Sequence, residues 1–119
     1  MYTVIKIYRV NKINKQQFLD INERASEIYL ANGALEDTTY LADNLNGQQG
    51  YMGLLDIINV ADDELVFFGQ SVYRNKSHFE DVRNHVNDEK ELDQLYDELT
   101  KIVDFSRIVN ASFTTEDKK

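Results

Sequence analysis

The chain has 119 residues, of which 42% are hydrophobic and 29% are charged, and its net charge is −8 at pH 7. This length predicts a single domain, and the composition is that of a folded protein. The absence of cysteine excludes disulfides and thiolate chemistry. The acidic balance argues against nucleic-acid binding, and no apolar run is long enough to suggest a membrane partner. Because the first residues lack a signal-peptide pattern, we expect a cytoplasmic location.

The first two predicted elements are a strand and a helix. From residue 2 to residue 10, apolar residues occupy odd and even positions alike, which is typical of a strand buried on both faces. Asn14 is a helix-capping residue type, and Gln17 follows three positions later. Apolar residues then recur at helical spacing as far as Gly33, which can adopt the left-handed conformation that ends a helix. We therefore predict a helix over residues 15–32.

The middle of the chain contains several short apolar runs. Residues 35–41 predict a second strand, and the asparagine- and glycine-rich stretch 44–50 predicts a loop. The runs 54–60 and 65–73 flank a short acidic turn, which is typical of a β-hairpin. Because the run 65–73 contains the most hydrophobic part of the chain, we place it at the centre of the sheet.

Helical patterns return in the second half of the chain. Ser77 and Glu80 form the S-x-x-E pattern of a capping box at the start of a helix. Poor helix formers near residue 87 predict a break, after which a second apolar stripe begins. Residues 108–113 predict a last strand. We therefore expect one domain over residues 1–113 and a frayed polar tail over residues 114–119.

The predicted order β-α-β-β-β-α-α-β indicates an α+β class. It resembles a ferredoxin-like antiparallel sheet with helices on one face, plus one additional strand. Neither face of the two most apolar strands is simply polar, whereas a hydrated sheet face alternates cleanly. Because a large apolar patch is unusual on a monomer, we predict a homodimer that pairs through the sheet face. A monomer with a mixed, partly hydrated face is the alternative.

Short stretches in the same order along nearly the whole chain resemble the YbaA-like family of uncharacterised bacterial proteins. They are Asn32–Leu35, Glu64–Phe68, Tyr73 with Lys76–Phe79, Val86–Asp88, and Arg107–Val109 through Phe113. The resemblance implies a dimeric α+β barrel, in which two ferredoxin-like sheets pack face to face. The chain departs from the family pattern at Gln70, where a tryptophan is usual, and at Arg74 and Glu89, where prolines are usual. The family has no established activity to carry over.

The resemblance also implies a likeness to the wider dimeric-barrel superfamily, which includes monooxygenases and haem-degrading enzymes. The haem-degrading members use a strand asparagine, a strand tryptophan and a helix histidine. Here Tyr73 stands near the tryptophan position, Leu92 stands where the histidine is expected, and the first strand has no asparagine before Asn11. Haem degradation is therefore disfavoured. A cofactor-independent monooxygenase-like enzyme, with Tyr73 and a histidine handling protons or oxygen, is an alternative.

Four residues in or after the central strand form the candidate ligand cleft: Tyr73, Arg74, His78 and His85. Tyrosine and arginine can hold an anionic or aromatic ligand, and histidine transfers protons near neutral pH. The two histidines are seven positions apart, too far along a helix to share one metal ion. The conservative interpretation is that the histidines lie at the surface and that Tyr73 and Arg74 only pack in the core or an interface.

Tyr8 and Tyr40 are expected near this cleft. The acidic stretch 88–104 is most simply a hydrated helix surface, and its alternative role is to dock a basic partner. The sequence has no nucleotide-binding loop and no zinc-protease motif, and we expect no cofactor and no metal. The leading hypothesis is a homodimer that binds a small, partly apolar molecule between sheet and helices. The alternatives are the monooxygenase-like enzyme and an interaction protein that uses its acidic helix.

Overall fold

Residues 1–116 are described by the structure, which is a computed structural model of the chain. Their regular elements, in chain order, are β1 (Tyr2–Asn11), α1 (Lys15–Ala31), β2 (Glu36–Leu41), β3 (Glu64–Tyr73), α2 (Lys76–Val86), α3 (Lys90–Thr100) and β4 (Val109–Thr114). Single turns of 3₁₀ helix stand at Lys12–Asn14, Leu54–Asp56 and Phe105–Arg107. The predicted α+β class is confirmed.

The strands form one antiparallel sheet in the order β2-β3-β1-β4. This order is that of a ferredoxin-like fold, and it places the two ten-residue strands, β1 and β3, at the centre. A central strand is paired along both edges, so its side chains have neighbours on both sides and it favours apolar sequence more than an edge strand does. The prediction that the most hydrophobic strand lies centrally is confirmed.

The prediction of an additional strand at residues 54–60 is wrong. Between β2 and β3 the chain forms a loop whose regular structure is limited to the turn Leu54–Asp56. Several of its hydrogen bonds are made inside the loop: the Leu55 N–H donates to the Leu45 carbonyl at 3.3 Å, and the Gly53 N–H donates to Asp56 Oδ2 at 2.8 Å. The Asn59 carbonyl accepts from two arginine side chains outside the loop and not from a strand N–H. The predicted hairpin is therefore wrong as well, because a short apolar run without alternation does not specify a strand.

The helix boundaries confirm two predictions and correct one. α1 ends at Ala31, and Gly33 follows with a φ of +110°, as predicted for the helix stop. The break predicted near residue 87 separates α2 from α3. The predicted cap at Ser77 is wrong, because Asn75 precedes α2 and its Oδ1 accepts a hydrogen bond from the His78 N–H at 2.8 Å. Asparagine satisfies a free N–H of the first helical turn in this way.

The helices cover one face of the sheet, and the core lies between them. It consists of two clusters of buried side chains, one around Phe18 and Phe67 and the other around Tyr73 and Val82. The strand residues of β1 that join these clusters are even-numbered, so the even positions of β1 face the helices. None of the described helices combines the length and the apolar character needed to cross a membrane.

The opposite side of the sheet is called here the open sheet face. It is formed by the odd-numbered residues of β1 and the residues that pair with them on the neighbouring strands. At the carboxyl end of the described chain, β4 extends to Thr114, and the Thr115 N–H donates to the Met1 carbonyl at 2.9 Å. Of the tail predicted at residues 114–119, residues 117–119 lie outside the described range.

Candidate functional site

A cavity of about 480 Å³ lies between the helices and the helix-covered face of the sheet. This volume falls within the usual range for small-molecule sites. Both core clusters contribute side chains to its walls. Four of its lining residues are exposed, namely Arg83, Asn87, Asn110 and Ser112. They place the mouth of the cavity between α2 and the edge strand β4.

The strand register brings polar side chains together on the floor of the cavity. Asp37 of β2 pairs with Ser71 of β3, and Ser71 pairs with Val4 of β1. In the neighbouring row, Gly69 of β3 pairs with Lys6 of β1. Because alternate residues of a strand point to the same face, Lys6, Asp37 and Ser71 all lie on the cavity side.

Asp37 is the carboxylate of this floor, and serine hydroxyls hold both of its oxygens. The Ser26 hydroxyl of α1 shares its proton between the Asp37 backbone carbonyl at 2.6 Å and Asp37 Oδ1 at 2.7 Å. Ser71 Oγ of β3 donates to Asp37 Oδ2 at 2.5 Å. Hydrogen bonds to a carboxylate oxygen are stronger than those between neutral groups. This one side chain therefore ties α1, β2 and β3 together beneath the cavity.

Lys6 is the cation of the floor. Its side chain is half-buried and lines the cavity. Burial lowers the pKa of the Lys6 ammonium because the charged form loses hydration, and the nearby Asp37 carboxylate opposes this effect only in part. Lys6 can therefore bind an anion strongly or give up its proton more easily than an exposed lysine.

Five tyrosines line the cavity: Tyr2, Tyr8, Tyr29, Tyr73 and Tyr96. The hydroxyl oxygens of Tyr29 and Tyr96 are 2.9 Å apart, which links α1 to α3. Burial raises the pKa of Tyr8 and Tyr29 far above the ordinary value, and it raises the pKa of Tyr73 to about 12. These three hydroxyls therefore keep their protons at neutral pH and can donate hydrogen bonds.

Of the four residues predicted to form the cleft, Tyr73 is the one that lines the cavity. Arg74 is exposed beyond the end of β3. His78 is buried, and its Nδ1 accepts a hydrogen bond from the Arg74 N–H at 3.0 Å, so it closes the turn into α2. His85 is exposed on α2. Sequence spacing thus places these residues close along the chain without bringing them into one site.

Tyr8 and Tyr40, which were expected near the cleft, lie on opposite faces of the sheet. Tyr8 lines the cavity. Tyr40 lies on the open sheet face, where its ring centroid is 6.0 Å from that of Phe68, so the expectation for Tyr40 is wrong. The reason is the register, because Tyr40 pairs with Phe68 while the cavity side of β2 carries Asp37.

Lys6 and Asp37 are the residues that the sequence interpretation misses. Lys6 is given no role there, although it stands between Val4 and Tyr8 on one side of a strand. A lone lysine on an otherwise apolar strand face is the signal that could have identified it. Asp37 offers a similar signal, a carboxylate inside a predicted strand, but its partners Ser26 and Ser71 are distant in sequence.

The other polar groups singled out in the sequence lie at the surface. Asp93, Asp97 and Glu98 are exposed on α3, and Glu91 forms an ion pair with Arg24 of α1 at 2.5 Å. Over residues 1–116, no three histidine or carboxylate side chains come together as a metal site would require.

Several solved structures share this fold. Protein At3g17210 from Arabidopsis thaliana is 5% identical with a TM-score of 0.64, and the alignment covers 100% of this chain and 99% of that chain. Protein Atu4242 from Agrobacterium tumefaciens is 13% identical with a TM-score of 0.58, covering 98% and 94%. An uncharacterized NIPSNAP domain protein from Burkholderia xenovorans is 13% identical with a TM-score of 0.56, covering 98% and 95%. At these identities the likeness shows the fold alone.

No curated protein matches the chain. A protein family described as "Protein of unknown function (DUF1428)" matches residues 1–111. Because this match extends over almost the whole sequence, the chain belongs to the DUF1428 family.

Proposed function

We propose that this protein binds a small, partly apolar organic molecule in the cavity between the sheet and the helices. The observation that carries the proposal is the cavity itself, about 480 Å³ of space that opens to solvent. Protein interiors are otherwise packed as densely as organic crystals, because unfilled space forfeits attractive contacts. A bound ligand would restore the attractive contacts that the cavity walls otherwise lack.

The lining supports a ligand with both apolar and polar parts. Ile21, Ala25 and Leu95 supply aliphatic wall, while Tyr29 and Tyr96 supply rings with polar tips. Small-molecule sites combine apolar walls with fixed polar groups, and in this cavity the polar share of the lining is nearly as large as the apolar share. The fixed polar groups orient a ligand, and the apolar walls supply the free energy of its transfer from water.

Filling the cavity tests this proposal. Ala25 lines it from α1, so Ala25→Phe places a large ring in the space, whereas Ala31 is exposed at the end of the same helix. The probe is naphthalenemethanol, whose fluorescence can be read because the chain has no tryptophan. We expect the unmodified protein to bind the probe, Ala25→Phe to weaken binding by about tenfold or more, and Ala31→Phe to leave it unchanged.

Circular dichroism checks that both variants are folded. A folded Ala25→Phe variant that binds the probe as well as the unmodified protein would contradict the proposal, as would an unmodified protein that does not bind it.

An enzyme of the monooxygenase-like type is the second candidate function, favoured by the position of Tyr73 in the cavity. Binding is the preferred proposal because both histidines stand elsewhere, His78 buried in the first turn of α2 and His85 at the surface. With its pKa raised to about 12, Tyr73 acts near neutral pH as a hydrogen-bond donor and not as a base.

We also propose that two copies of the chain pair through the open sheet face. One row of residues on this face crosses all four strands, and each member is apolar or aromatic: Tyr40, Phe68, Ile7 and Val109. Tyr40 is 47% exposed and Val109 is 37% exposed. A second copy removes this row from water, and two-fold pairing is the commonest way for a soluble protein to do so.

The paired state is also what the resemblance to the YbaA-like family implies, and that finer resemblance stays a prediction. A cytoplasmic location and a basic partner for the acidic helix α3 stay predictions as well. Light scattering tests the pairing directly, with an expected mass of twice the 13.9 kDa of one chain.

A further inference from the structure

The charges that line the cavity differ in sign from the charge of the whole chain. Lys6 and Arg83 are positive and Asp37 is negative, so two positive charges and one negative charge give the lining a net charge of +1. The chain as a whole carries −8. A locally positive cavity in an acidic protein favours an anion over a cation or a neutral molecule.

Asp37 does not neutralise the charge of Lys6 by a direct ion pair. Its two carboxylate oxygens accept from Ser26 and Ser71, and it forms no ion pair of 4.0 Å or less with Lys6. Within residues 1–116, the Lys6 ammonium has neither a hydrogen-bond acceptor nor a salt-bridge partner. A half-buried ammonium that has lost part of its hydration without gaining a partner is poised to bind one.

The strand opposite Lys6 leaves room for that partner. Gly69 pairs with Lys6 in the register, and a side chain at this position would begin 3.4 Å from the Tyr8 ring. Because glycine stands there, β3 contributes no side chain to the floor at the position paired with Lys6. A small anionic group can therefore approach Lys6 from the cavity.

Arg83 supplies the second cation at the mouth of the cavity. Its guanidinium lies 5.2 Å from the centre of the Phe79 ring, and both residues belong to the lining. Stacking on an aromatic ring holds an arginine in place while it remains exposed. The lining therefore carries one cation at the entrance, Arg83, and one at the floor, Lys6.

We propose that the ligand of this cavity is a small organic carboxylate, whose carboxylate group pairs with the Lys6 ammonium while its apolar body lies against the aliphatic and tyrosine walls. This inference rests on the proposed function and adds the charge of the ligand. A carboxylate suits the site because it accepts hydrogen bonds from an ammonium and from tyrosine hydroxyls, which are among the donors on the cavity walls.

Two probes of matched shape test the charge separately from the cavity. Naphthoate and naphthalenemethanol share the ring system and differ in whether the substituent is a carboxylate or a neutral alcohol. Calorimetric titration is expected to show that the unmodified protein binds naphthoate about tenfold more tightly than naphthalenemethanol. Lys6→Met keeps the length of the side chain without its charge, so we expect it to bind both probes equally.

Two further variants serve as controls. Lys6→Arg retains a positive charge and is expected to keep most of the preference for naphthoate. Lys12→Met removes an exposed lysine just beyond β1 and is expected to keep all of it. Circular dichroism confirms that each variant is folded.

The possible failures are distinguishable. If neither probe binds the unmodified protein, the proposed function fails. If both bind and Ala25→Phe weakens both, but the unmodified protein shows no preference for naphthoate, the inference about charge fails alone. A preference that survives unchanged in Lys6→Met overturns the role of Lys6.

Discussion

An ion pair between Arg107 and Glu64 joins the segment before β4 to the first residue of β3, at the end of the sheet away from the cavity mouth. Arg107 Nη1 lies 2.6 Å from Glu64 Oε2, and Nη2 lies 3.0 Å from Oε1, so the pair is bidentate. The side chain of Glu64 is only 11% exposed, whereas that of Arg107 is 38% exposed. The hydrogen bonds from Arg107 lower the pKa of the Glu64 carboxyl from 4.5 to about 2.

This pair predicts a pH dependence of stability. Because the pKa of Glu64 is lower in the folded state, its contribution is complete above about pH 4.5 and is lost as the pH falls toward 2. Solvent screens the exposed guanidinium, so we expect Glu64→Gln to reduce the free energy of unfolding by about 1 kcal/mol near neutral pH. Urea denaturation at several pH values measures this difference, which should shrink steadily below about pH 4.5.

Asp62→Asn is the matched control, because Asp62 is an exposed carboxylate in the turn that precedes β3. A destabilisation by Glu64→Gln that stays the same down to about pH 2 would contradict the assigned role of the ion pair.

At single positions, the sequence predicted what depends on residue type and missed what depends on register. Tyr73 could be placed in the cavity because a large aromatic residue at the end of an apolar strand is rarely exposed. The sequence could not assign Lys6 and Asp37 to the same cavity, because their strands, β1 and β2, are not neighbours. Both strands pair with β3. Only that arrangement sets which polar side chains share a face.

At the scale of elements, the passage from α1 to β2 places Asp37 beneath the cavity. Gly33 stands in this passage with a φ of +110°. The Ala34 N–H then donates to the Tyr29 carbonyl at 3.0 Å, and the Leu35 N–H donates to the Val72 carbonyl at 2.8 Å. The turn at Gly33 therefore directs the chain from the helix onto the edge of the sheet.

Replacing Gly33 tests this passage. A Cβ at this position would lie 3.5 Å from Val82 Cγ2, an ordinary contact, so the expected cost comes from the backbone conformation and not from crowding. We expect Gly33→Ala to lower the free energy of unfolding by about 1–2 kcal/mol, and Gly33→Asn to lower it less, since asparagine tolerates positive φ better. Chemical denaturation measures both, and an unchanged stability of Gly33→Ala would contradict the argument.

The elements themselves were predictable where a periodic pattern was long. The seventeen residues of α1 repeat their apolar positions at helical spacing, and the ten residues of β3 form a long run rich in β-branched and aromatic residues, which is enough to define each type. The run 54–60 is too short for that, and its backbone groups bond within the loop and to arginine side chains instead of to a neighbouring strand. The start of α2 was misplaced because Asn75 competes with Ser77 as a cap, and sequence alone does not rank the two.

At the scale of the whole molecule, the sheet separates the two proposed surfaces. Phe68 belongs to the open sheet face, and the cavity lies on the other side. We expect Phe68→Lys to convert the paired state into a single chain, because it places a charge in the middle of the apolar row. Leu30→Lys, which alters a residue 45% exposed on α1, should leave the pairing intact.

Light scattering of the two folded variants provides the measurement. An unmodified protein with the mass of one chain would contradict the pairing, and so would a Phe68→Lys variant that keeps the doubled mass. The unpaired variant should still bind naphthalenemethanol, since the cavity is built from one chain alone.

The alternation along β1 has a consequence for how this sequence can change. Val4, Lys6 and Tyr8 point toward the cavity, while Ile5 and Ile7 point away from it. Deleting a single residue from this strand would exchange the two sets. The Lys6 ammonium would then lie on the open sheet face, and the isoleucines would face the cavity. Substitutions can therefore tune either surface separately, but a change in the length of β1 disturbs both at once.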